Sequence, residues 1–181
     1  DLESHPHFQL WQDPVTQVFS YVLTTHLAPV QKALYFQTPS IKGSSDYLWF
    51  QALNPPGDVW VLGVVSLNPS EPLIRIFPNA QLSGNPWVEA DGASCIAPVA
   101  DGLYRFSVTG SYEELFRMDQ PILNGRHLFS LTTTLDVTCD DKSYLLSSRI
   151  GNRWIIGTVD RRNGAYSVIE DFGSAHIHAF C

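Results

Sequence analysis

Between Arg126 and Phe172, apolar runs rich in β-branched and aromatic residues alternate with short polar breaks, and the runs have the length of strands rather than helices. They predict four strands: Leu128–Thr134, Ser143–Ser148, Trp154–Asp160 and Ala165–Phe172. Asp140-Asp141-Lys142, Gly151-Asn152 and Asn163-Gly164 fill the breaks. Such residues join antiparallel strands because they tolerate the left-handed backbone of tight hairpins. The result is a meander sheet.

The pattern repeats along the chain. Asp46–Phe77 aligns with Ser143–Phe172, setting Tyr47-Leu48 against Tyr144-Leu145 and Trp60 against Trp154, and the shorter Gly102–Met118 aligns with the later halves of both. Four-stranded meanders recurring at roughly 45 residues are the sequence form of propeller blades. The expected fold is an all-β propeller spanning 1–181 as a single domain, with blades over 33–80, 89–119 and 127–173 and the next blade beginning at 174–181. The first inner strand is expected at Ala33–Thr38. Residues 8–24 read as a hairpin turning at Asp13-Pro14, an orphan that closes the last blade. A ring needs about four blades, so the pattern predicts that further blades, from a longer polypeptide or a second copy, complete it and cover its open edges.

Composition narrows the partners. The 181 residues carry a net charge of -7, which disfavours non-specific nucleic-acid binding but permits a local basic cleft for an acidic sugar. No apolar run is long enough to span a membrane. The absence of an initial Met fits removal of a secretory signal, hence a secreted or periplasmic setting. Cys95, Cys139 and Cys181 form no CxxC pair and read as buried free thiols, and His5 and His7 read as part of a loose tail. Walker, dinucleotide-binding, nucleophile-elbow and HExxH signatures are all missing.

The chemistry-bearing residues concentrate in the connectors Thr25–Lys32, Gln81–Gly92, Gln120–His127 and Gly173–His178. The leading ends of inner strands share one face of a propeller, so His26, Lys32, Asn85, Trp87, Asn124, Arg126, His127, His176 and His178 are expected to converge. His127 has the chemistry of a general base and Arg126 that of a carboxylate clamp; an edge-capping histidine and a solvated arginine are the plainer alternatives. His176, His178 and Cys181 form H-x-H-x-x-C, chemically able to bind zinc or manganese. Arg149, Asn152 and Arg153 fit a solvated hairpin tip. Trp49, Trp60 and Trp154 fit the core between blades, whereas Trp87, in a loop beside Pro86, fits stacking on a sugar ring.

DPVTQ (Asp13–Gln17), ALYFQTPS (Ala33–Ser40), DYLWF (Asp46–Phe50), RHLFS (Arg126–Ser130) and SSRIGNRWIIGTVDRRNG (Ser147–Gly164) together resemble the first half of the seven-bladed propeller polysaccharide lyases. That group includes oligogalacturonate lyases and propeller ulvan lyases. The resemblance implies β-elimination on a uronic-acid glycan, an acidic polysaccharide as partner, and a divalent metal, zinc, manganese or calcium, as cofactor. It matches His127 to the family's inner-strand histidine, as base or carboxylate neutraliser, and His176 or His178 to a histidine opening the next blade. Asn124, Arg126, Trp87 and Lys32 would then bind substrate. Further family residues, a Tyr, an Arg and metal-binding histidines, would lie past Cys181. The missing initial Met and phrases such as LYFQTPS favour ulvan as substrate over oligogalacturonate, the latter implying a cytoplasmic enzyme. A propeller that binds glycan or protein without chemistry is the alternative of another class.

Overall fold

The structure, a computed structural model, describes residues 2–35, 38–43, 45–100, 102–118, 122–123, 126–127, 129–150 and 153–173, with 122–123, 126–127, 129–134 and 150 described in backbone only. After a short 3-10 turn at Leu2–Ser4, β1 (Phe8–Gln12) and β2 (Phe19–Leu23) form the expected hairpin. Blade 1 follows as β3 (Val30–Ala33), β4 (Tyr47–Leu53), β5 (Val61–Ser66) and β6 (Ile74–Gln81), paired in sequence order. A two-residue strand β7 (Gly84–Asn85) leads into blade 2, made of β8 (Trp87–Val88), β9 (Ser94–Val99), β10 (Gly102–Ser107) and β11 (Tyr112–Arg117). A small hairpin, β12 (Ile122–Leu123) with β13 (Arg126–His127), precedes blade 3: β14 (Phe129–Val137), β15 (Ser143–Ile150), β16 (Arg153–Asp160) and β17 (Tyr166–Asp171). Among the described residues no helix is long and apolar enough to cross a membrane.

Local chemistry moved three expected features. The inner strand of blade 1 is Val30–Ala33 rather than Ala33–Thr38. It ends there because Ser40 takes over its neighbours: Leu34 N donates to Ser40 Oγ at 2.8 Å and Trp49 N to Ser40 O at 2.8 Å. A serine that captures backbone donors in this way competes with the sheet ladder. The tail is not loose either. His5 is buried, its Nδ1 accepts from His7 N at 3.1 Å, and the His7 ring meets Thr25 Oγ1 at 2.9 Å and Pro72 O at 3.0 Å, which pins the N-terminus across blade 1. The third feature is β14, which extends to Val137. From its Thr132↔Ser147 pairing to its Asp136↔Leu145 pairing β14 advances four residues against two of β15. That bulge frees backbone groups, and Thr133 and Thr134 pair in parallel with Gly84 and Asn85 of β7 instead.

The core lies between blades. Trp49, Leu62, Val64 and Phe77 of blade 1 pack against Cys95, Ala97 and Phe106 of blade 2. On the opposite face of blade 2, Ile96, Leu103 and Phe116 pack against Leu135, Tyr144, Leu146 and Val159 of blade 3. Alternation along β9 delivers this division, since Cys95 and Ala97 face one neighbour while Ile96 faces the other. The aligned repeats share a device, though it faces opposite neighbours. Gly63 on β5 and Gly157 on β16 each leave room for an aromatic ring: a Cβ at Gly63 would lie 2.5 Å from the Phe50 ring, and one at Gly157 2.6 Å from Tyr166. The N-terminal hairpin covers the remaining face of blade 1, where Phe8 and Leu23 pack on Phe50, Ala52 and Val65. Its far side leaves Trp11 and Phe19 exposed.

Candidate functional site

Two of the residues expected to converge share one cavity. His26, in the connector after β2, and Lys32, on β3, line a groove of about 340 Å³ between the hairpin and blade 1, with Gln31 beside them and Phe8, Tyr21, Leu48 and Phe50 in its walls. Gln31 shapes the connector, accepting from Leu27 N at 2.7 Å and donating to Thr25 O at 3.2 Å. Lys32 is a strand residue rather than a connector residue, and its ammonium lies 3.9 Å from the centroid of the Trp60 ring. The ring's negative face holds that cation in place. The groove can therefore present one oriented positive charge and one exposed imidazole above apolar walls.

Trp87 is placed differently from its sequence-based expectation. It opens β8, opposite Ile96, and is half-buried against the blade 2–blade 3 cluster, while Lys42 Nζ stands 4.6 Å from its ring centroid. The buried Pro86 and the pairing of β7 to β14 draw it inward, so it is a strand residue and not a free loop aromatic. Asn85 pairs through its backbone with Thr134 on β14, which brings the connector before blade 2 to the inner edge of blade 3. Arg126 and His127 make up β13, with His127 opposite Ile122 and Arg126 opposite Leu123, directly ahead of the inner strand of blade 3. Asn124, His176, His178 and Cys181 lie outside the described residues. Among the described residues no group of three or more His, Cys, Asp or Glu side chains is arranged to hold a metal ion.

A charged cluster that sequence reasoning did not single out joins blades 2 and 3. Glu89, just after β8, accepts from Tyr144 Oη at 2.9 Å and pairs with Arg161 at 2.7 Å, and Arg161 also pairs with Asp141 and lies 5.1 Å from the Tyr144 ring centroid. Glu89 and Arg161 side chains are only 13% and 20% exposed. Burial, and then the Glu89 charge, push the Tyr144 phenol up from its ordinary value, so it stays a neutral donor. The three turns involved are separated by tens of residues, and only the alternation of β15, which points Tyr144 at blade 2, hinted at the contact.

An oligogalacturonate lyase in complex with manganese superposes with a TM-score of 0.66 at 15% identity, over 91% of this chain and 46% of that one. The oligogalacturonate lyase of Vibrio parahaemolyticus superposes with a TM-score of 0.64 at 13% identity, over 93% and 47%. TolB from Acinetobacter baumannii follows with 0.50 at 14% identity, over 92% and 42%. The fold is a β-propeller. This chain spans about half the length of the solved propellers it matches. No protein-family model matches the sequence, and no curated protein matches it.

Proposed function

We propose that this chain belongs to a polysaccharide lyase that cleaves short pectic fragments by β-elimination beside a uronic-acid carboxylate. The observation carrying this reading is the superposition on two oligogalacturonate lyases across nine-tenths of the chain, at TM-scores of 0.66 and 0.64 against 0.50 for TolB. The preference for ulvan has no counterpart in those superpositions, so the substrate proposed is oligogalacturonate and the setting cytoplasmic. The remaining blades, in this reading, belong to the same polypeptide.

Elimination needs three services. The sugar carboxylate must be neutralised, because the carbanion-like transition state spreads charge onto it; the adjacent proton must be taken; and the 4-linked oxygen must leave. Arg126 and His127, consecutive on β13 ahead of an inner strand, have the chemistry of a carboxylate clamp and of a base. His176 or His178 would complete the set from the following connector. Among the described residues no three His, Cys, Asp or Glu side chains are grouped to hold a metal.

The test adds the full-length protein separately to oligogalacturonate and to ulvan and follows ultraviolet absorbance of the unsaturated uronate. Absorbance should rise with oligogalacturonate, and His127→Ala should cut the rate by about a hundredfold or more while binding changes little. Elimination that survives His127→Ala removes His127 from the chemistry. No rise with either glycan turns the reading towards a binding propeller.

A further inference from the structure

On the outer rim, far along the strand order from the inner connectors, blades 1 and 2 leave a second groove. Two adjoining cavities of about 190 and 140 Å³ share Asn79, Phe106 and Tyr112. Arg75 comes from β6, the outermost strand of blade 1, on the same face as Phe77, and Asn79 from the bulge that follows Phe77 on that strand; Tyr112 comes from β11, the outermost strand of blade 2. The floor is the buried Phe77–Phe106 pair, whose rings meet edge to face at 5.2 Å, and Tyr112 stacks on Phe106 at 5.8 Å while remaining 56% exposed.

Charge at this groove is unbalanced. The neighbouring carboxylates are engaged: Glu113 by Arg105, and Glu114 by Arg117 and the Tyr104 hydroxyl. The Arg75 side chain forms no ion pair or hydrogen bond among the described residues. Its guanidinium instead lies across the backbone of Gly110, where an added Cβ would stand 1.6 Å from Nη1; Gly110 also has a φ of +97°. Only glycine leaves that cradle open. A half-buried guanidinium seated against Gly110 with no ion-pair partner, an exposed aromatic face beside it and an exposed amide nearby suit a carboxylated ring.

We infer that this rim groove binds a single carboxylated sugar residue, with Arg75 on the carboxylate, Tyr112 under the ring and Asn79 at a hydroxyl. Taken together the two adjoining cavities lie near the lower end of small-molecule sites, about 300 Å³, which is room for one sugar ring. The choice of a uronate rests on the functional reading above. The groove would anchor an acidic glycan apart from the site of cleavage.

Calorimetric titration of the full-length protein with galacturonate, a single carboxylated sugar with no linkage to cleave, tests this and keeps the two ideas apart. The wild type should show two classes of site, one of which weakens about tenfold or more in Arg75→Gln and in Tyr112→Ala. Methyl esterification of the sugar should weaken that same class in the wild type and weaken it no further in Arg75→Gln. If the lyase reading fails but this one holds, the wild type shows a single class, and both variants lose it. Unchanged titrations in both variants overturn the rim site, whatever the turnover. Should Arg75→Gln fold poorly, the exposed Tyr112→Ala and Asn79→Ala carry the test.

Discussion

The two blade interfaces are built on different principles. Between blades 1 and 2 the contact is almost wholly apolar, with Trp49 at its centre, stacked on Phe77 at 6.0 Å and donating from Nε1 to Gly92 O at 2.8 Å. Between blades 2 and 3 an apolar layer is edged by the Glu89–Tyr144–Arg161 cluster. Hydrophobic burial is large but indifferent to direction, whereas hydrogen-bonded charges act over short range and fix geometry. The first interface holds its blades by area; the second adds a constraint on where blade 3 sits. That constraint matters for the proposed site, because β13 and the inner strand β14 belong to the blade it positions.

The largest way to break the comparison is Trp49→Ala, which removes the centre of the apolar interface and should cost about 4 kcal/mol in denaturant unfolding. Cys95 supplies a local reporter. It is fully buried in the same cluster, and burial, with the Glu89 charge, pushes its thiol well up. A maleimide should therefore label the exposed Cys139 in the wild type and reach Cys95 only in the variant. Equal Cys95 protection in both proteins would mean that Trp49 does not hold this interface shut.

A smaller loss is expected at the other interface. Glu89→Gln removes the buried one of the two carboxylates on Arg161 and leaves only the exposed Asp141, and should cost about 2 kcal/mol. The loss should shrink when Arg161→Met is made as well, because the stranded charge is then gone, whereas additive losses would show that the pair is not coupled.

The smallest effect concerns the hairpin. Burial first, and then the His7 charge, lower the pKa of His5 below the ordinary imidazole value, and its Nε2 has no partner among the described residues. The unfolded chain therefore takes up the proton first as pH falls. The stabilising effect of neutral His5 is complete above about 6.5 and declines as pH drops below it. Hydrogen exchange in β1 and β2 should quicken over that range, and His5→Asn, which keeps an acceptor near the position of Nδ1, should flatten the dependence. An identical pH response in His5→Asn would assign the effect elsewhere.

Sequence pattern reached far into this fold because a blade is a local object. The alignment of Trp60 with Trp154 sets Gly63 against Gly157, and in space both glycines make room for a ring on the neighbouring strand. The hairpin turn at Asp13 was equally legible, its Oδ1 accepting from Val15 N at 2.7 Å and Thr16 N at 3.0 Å. The candidate sites were legible only in part. Lys32 and His26 do share a groove, but Trp87 was misread as a loop residue, since nothing adjacent in sequence shows that β7 pairs with a strand nearly fifty residues later. Arg75 and Tyr112 carried no motif at all.

The sequence by itself determined the longer middle and outer strands, the hairpin turns between them and their repetition as four-stranded sheets, because alternation and turn chemistry act within a few residues. Only the tertiary structure decided which polar side chains meet. Glu89 with Arg161, Arg75 over Gly110 and Lys32 on Trp60 come from separate strands and turns. Their encounters depend on the angle between packed blades, and that angle is set by the volume of the buried side chains between them rather than by any local pattern.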